Sequence, residues 1–184
     1  MLDRYLIVHC SPTLASLKTA NLFRLAYRSD RELERQMEIW GSLLEDKGVT
    51  LIPLYRQEGT ALIYVCRKAR LQADLQKPGV GEFLERYGYS GMEVNGALAR
   101  LKERIAADGG FPHEIGIFLG YPLGDVAGFI HNGGQNCQCV GCWKVYCNAV
   151  EARKTFAKYK KCTAIYTRLW SEGRKSVRQL TVAV

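Results

Sequence analysis

Seven cysteines, three histidines and a lysine set inside an apolar run are the residues of this 184-residue sequence best suited to chemistry. Four cysteines crowd into one segment, Cys137-x-Cys139-x2-Cys142-x4-Cys147. Another, Cys10, sits in His9-Cys10-Ser11-Pro12-Thr13. Thiolates attack electrophiles, exchange with disulfides and bind soft metals, so the setting of each thiol decides its meaning.

Cys10 is the best nucleophile candidate. The apolar run Tyr5–His9 reads as a buried strand, and Ser11-Pro12 reads as the N-cap and first residue of a helix reaching about Tyr27. A thiol at that junction feels the positive end of the helix, which favours thiolate. Ser11 and Thr13 add hydroxyls, and the first-turn N–H groups suit an anion. His9 would point to the opposite face of the strand. Lys18 or His113 is then the charged helper such a site needs. A small, buried, structural thiol is the competing reading.

Gly120-Tyr121-Pro122 forms a second junction, after a strand expected at Ile115–Leu119 and before a short helix capped by Asp125. In open α/β sheets ligands collect at the carboxyl ends of strands. Side by side, Cys10–Thr13 and Gly120–Asp125 would form one pocket for an anionic small molecule, with Gly120 and Tyr121 in its wall. Lys144 interrupts the apolar run Gln138–Tyr146, which reads as a strand. It either snorkels at a sheet margin or lines the pocket. No G-x-G-x-x-G or P-loop is present, so the chain carries no standard nucleotide fingerprint, and no cofactor is indicated.

The crowded cysteines lack the two separated knuckles of a structural zinc site. On a strand, Cys139 and Cys147 would face one way and Cys142 the other. Reduced thiols without metal are therefore expected. Metal or redox handling by Cys137–Cys147, with a distant ligand such as His131, is the weaker alternative.

Charge gives another alternative. Of the net charge of +8, +7 lies between Asn148 and Val184. Asn148 caps a helix ending near Trp170. Its apolar stripe is Ala149, Ala152, Phe156, Tyr159, Tyr166 and Trp170. Lys154, Lys158, Lys161 and Arg168 share the opposite face. That face could serve a non-catalytic module that holds nucleic acid or an acidic protein, although no recognisable nucleic-acid motif accompanies it.

The elements that must position these groups follow from local signals. Ser29-x-x-Glu32 is a capping box opening a helix that Gly48 ends. Val49–Arg56 and Thr60–Arg67 read as a hairpin around Gln57-Glu58-Gly59, with Pro53 marking an edge strand. Helices are expected over Lys68–Lys77, Val80–Tyr87 and Glu93–Ala107, the last ended by Asp108-Gly109-Gly110. Ser176–Val182 reads as a final strand. The predicted fold is a single α/β domain with a mixed five- or six-stranded sheet, one hairpin and covering helices.

A hydrophobic content of 47% with 24% charged residues suits a globular core. No apolar run approaches the ~20 residues that cross a bilayer. Asp3 and Arg4 interrupt any leader, and the odd cysteine count fits a reducing compartment, so a cytoplasmic location without membrane insertion is expected.

Three motifs carry a resemblance: His9-Cys10-Ser11-Pro12-Thr13-Leu14-Ala15 with Lys18; Pro112-His113-Glu114-Ile115-Gly116 through Gly120-Tyr121-Pro122 to Phe129-Ile130; and Gly141-Cys142-Trp143-Lys144-Val145-Tyr146, followed by Tyr159-Lys160-Lys161-Cys162. Together they resemble an uncharacterised domain-of-unknown-function family of anaerobic Gram-positive bacteria, over most of the chain. The resemblance implies a single bacterial cytoplasmic domain and brings no activity, cofactor or catalytic residue.

Overall fold

The computed structural model describes residues 2–91, 93–107 and 111–183. The helix terminator expected at Asp108-Gly109-Gly110 lies outside these residues. The chain divides into two compact units, Met1–Arg70 with Lys161–Val184, and Leu71–Lys160.

The first unit opens with helix α1 (Leu2–Leu14), not the expected strand. Leu2, Leu6, Ile7, Cys10 and Leu14 recur at helical spacing and are buried, while Arg4, Val8 and His9 face solvent. Pro12 sits in the last turn rather than the first, where its missing N–H costs one helical bond. The Ser11 hydroxyl donates back to Ile7 O instead of capping a helix. Ser16, at φ 56°, turns the chain. Strand β1 (Ala20–Ala26) follows, where a helix was expected.

Helix α2 (Asp30–Glu45) matches its reading. Ser29 Oγ accepts from Glu32 N at 3.2 Å, and the Glu32 carboxylate accepts from Arg28 N, one residue before the cap. The hairpin of β2 (Thr50–Gln57) and β3 (Thr60–Cys66) also forms. Its loop is shorter than expected: Gln57 pairs with Thr60, leaving Glu58 and Gly59, with Gly59 at φ 71°. The strand order is β1-β3-β2, all antiparallel, so Pro53 lies on an edge as its missing donor requires. Leu54 is an extra residue between the pairs Pro53–Ile63 and Tyr55–Leu62, a β-bulge. Ala61, Ile63 and Val65 share one core with the buried side of α1 and with Leu33 and Leu44 of α2.

The expected final strand is helix α9 (Val177–Leu180), with a capping box between Ser176 and Gln179. Arg67 ties the first unit together. Only 2% exposed, its guanidinium donates to the carbonyls of Thr13, Leu14, Lys47 and Val182 at 2.7–2.9 Å.

In the second unit, α3 (Lys68–Leu75, which begins in the first), α4 (Val80–Glu85) and α5 (Val94–Ala106) stand where helices were expected. Ile115–Leu119 is not a strand: α6 (Ile115–Phe118) is one helical turn. Its residues are buried on every side, so no periodicity marked it. Gly120, at φ 78°, reverses the chain into α7 (Leu123–His131). The run Gln138–Tyr146 folds back on itself as a minimal hairpin, β4 (Cys139–Val140) against β5 (Lys144–Val145). The single-strand parity argument for its cysteines therefore does not apply. Helix α8 (Ala149–Ser171) starts as predicted, with Asn148 Oδ1 accepting from Glu151 N. Among the described residues the sheets thus hold three strands and two strands, in place of the expected mixed sheet of five or six. Among the described residues, no helix is long and apolar enough to cross a membrane.

Candidate functional site

The residues singled out in the sequence separate between the two units. Cys10, Ser11, Thr13 and Lys18 belong to the first, and all four are buried there. Cys10 lies inside α1 with no exposed surface, not between a strand end and a helix start. Burial pushes its thiol far up, and the nearby Lys18 charge offsets only part of that. The thiol is therefore protonated at neutral pH, the opposite of the thiolate expected from a helix start. Thr13 is also engaged: its hydroxyl lies 2.7 Å from Asn21 Oδ1, and its carbonyl receives Arg67. The premise of a pocket at the carboxyl ends of neighbouring strands fails on both sides, because Cys10 is helical and Gly120 joins two helices.

His113, Tyr121 and Lys144 meet at a cavity of about 340 Å³ in the second unit. One wall is α6 and α7, contributing Ile115, Leu119, Val126 and Phe129; the other is the β4–β5 hairpin, contributing Val140, Trp143 and Lys144. Gly120 is the turn between the two helices and is not among the residues that line the cavity.

The lining carries one ammonium and several aromatic rings. The Lys144 ammonium lies 5.8 Å from the centre of the Phe129 ring and donates to Gly134 O at 2.7 Å. The exposed His113 ring meets Phe129 edge-on at 5.0 Å. Tyr121 stacks on Trp143 at 4.7 Å, and Phe156 of α8 meets Trp143 edge-on at 4.5 Å. Burial pushes the Tyr121 phenol up to about 12, with Cys142 and Tyr159 adding to the shift, so it stays neutral and donates to Cys142 O.

Asp125 organises the hairpin wall. It is not a helix cap; Pro122 takes that position. Its buried carboxylate accepts from Trp143 Nε1 and Tyr146 N at 2.7 Å, from Cys147 N at 2.9 Å and from Cys147 Sγ at 3.0 Å. Burial alone would raise its pKa, but these hydrogen bonds outweigh burial and hold it below the usual carboxyl value. Burial and the Asp125 hydrogen bond raise the Cys147 thiol in turn, keeping it the donor of this pair. Asp125 is thus occupied with the wall rather than with the cavity.

The sequence reading missed Phe129, Trp143 and the role of Asp125. The clustering of Trp143 and Lys144 within an otherwise apolar run was the signal available for Trp143. For Asp125, nothing in the sequence pairs it with a segment about twenty residues on.

Of the four clustered cysteines, Cys142 lines the cavity and Cys147 is bound to Asp125, while Cys137 and Cys139 are half-buried. Among the described residues, no group of three or more His, Cys, Asp or Glu side chains is arranged to hold a metal ion. On α8, the stripe is as expected: Ala152 is buried, and Phe156, Tyr159, Tyr166 and Trp170 are half-buried. Lys154, Lys158, Lys161 and Arg168 are exposed.

No curated protein and no solved structure matches the chain. A family profile matches residues 6–181, and the chain therefore belongs to the family described as Protein of unknown function (DUF3793).

Proposed function

We propose that the protein binds a small, largely apolar organic molecule in the cavity between α6, α7 and the β4–β5 hairpin. The cavity itself carries this reading. Its volume of about 340 Å³ is at the small end of the ~300–1,000 Å³ typical of ligand pockets. That size suits a metabolite rather than a dinucleotide. The walls supply aliphatic and aromatic surface, with few polar groups to orient a guest, as such pockets usually do. Screening neutral aromatic fragments by protein NMR tests the reading. Saturable shifts should localise to Phe129, Val126 and Trp143. If no fragment perturbs these residues, the cavity is not a binding site.

A second reading is a docking module. It is supported by the joint exposure of Lys154, Lys158, Lys161 and Arg168 on one face of α8. Nucleic acid or an acidic protein would bind this face with strong salt dependence. Reversing the three lysines should abolish such binding; unchanged binding excludes the face.

A further inference from the structure

Resting on the cavity reading, we infer that the ligand is a planar aromatic monocarboxylate, seated with its charge at Lys144 and its ring toward Trp143. The polarity of the cavity supports both halves of this assignment. Among the described residues, Lys144 is the one lysine or arginine of the lining, and the exposed His113 lines it as well. An ammonium has three donors, and Gly134 O takes one of them. Phe129 lies beneath the ammonium and cannot neutralise it. The carboxylate of Asp125 also lines the cavity but is engaged by four donors from the hairpin. Lys144 therefore has donors left to meet a guest anion within a largely apolar lining.

The number of charges follows from the same groups. Among the described residues the lining holds one ammonium and one buried carboxylate. A doubly charged phosphate would bring more uncompensated charge into this apolar lining than a single carboxylate, which matches the one charge of Lys144. The flat shape follows from the aromatic rings of Tyr121, Trp143 and Phe129, all of which line the cavity.

Calorimetry with 2-naphthoate and its neutral analogue 2-naphthamide tests the inference on the full chain. The carboxylate should bind at least about tenfold more tightly than the amide, as expected when a charge-assisted hydrogen bond is lost. Lys144→Met should remove that preference, and Lys144→Arg should restore part of it. Phenyl phosphate should bind more weakly than 2-naphthoate. Equal binding of naphthoate and naphthamide to the native chain overturns the assignment of charge but leaves the apolar pocket standing. Preference for phenyl phosphate overturns the monocarboxylate class. If neither naphthyl probe binds and no neutral fragment shifts Phe129 or Trp143, the pocket and this inference fail together.

Discussion

The carboxylate of Asp125 and the indole of Trp143 meet at 2.7 Å, fixing one wall of the cavity to the helix that forms the other. The β4–β5 hairpin has only two residue pairs, too few to hold a shape alone. Asp125 compensates by binding its indole, two backbone amides and a thiol. The cavity therefore depends on one buried acid.

Asp125→Ala should destabilise the protein by about 2–4 kcal/mol, because buried amide donors lose their acceptor. Urea denaturation followed by tryptophan fluorescence measures it. A loss below about 0.5 kcal/mol contradicts the role given to Asp125.

The same residue predicts an acid limb. Its folded pKa is depressed below the ordinary value of 3.8. The corresponding stability is fully present above 3.8 and is lost as pH falls through the folded value. Native stability should therefore decline below about pH 4, and Asp125→Asn should show a shallower decline there. Parallel acid limbs for the two proteins rule out this linkage.

Gly128→Ala reverses a familiar rule. In an open helix the change stabilises by about 1 kcal/mol. Here the added Cβ would come within 2.5 Å of Tyr146 Cβ, an atom fixed by the backbone. Strain should win, at a cost of about 1–3 kcal/mol. A raised melting temperature contradicts the packing of α7 on the strand.

Cys10 should resist alkylation in the native state, because burial keeps it protonated and shielded. Iodoacetamide at neutral pH, read by peptide mass spectrometry, should label the exposed Cys142 about a hundredfold faster or more. Comparable rates return Cys10 to the candidates for a reactive thiol.

What was legible in the sequence was what local chemistry decides. Ser29 and Glu32 marked the start of α2, Gln57-Glu58-Gly59 located the hairpin turn but made it one residue too long, and Asn148 opened α8 with the correct stripe. What failed was decided by long-range packing. Tyr5–His9 is too short to separate a buried helix from a strand, and Pro12, which favours a first turn, stands in the last one here. Ile115–Phe118 is buried on all sides and shows no period. Gln138–Tyr146 reads as one strand because nothing local reports that it folds back on itself. The site divided along the same line. Residue type singles out His113, Tyr121 and Lys144, which line one cavity, but equally Cys10, Ser11, Thr13 and Lys18, which are buried in the other unit; the bond from Trp143 to Asp125 exists only in three dimensions.

The bulge at Leu54 has a consequence for association between molecules. Beside it, Pro53 removes an N–H from the outer edge of β2, and the extra residue breaks the regular ladder. A strand from another chain would find a missing donor and a shifted acceptor at neighbouring positions. That edge of β2 is closed to runaway pairing through backbone geometry, without needing charge to repel a neighbour.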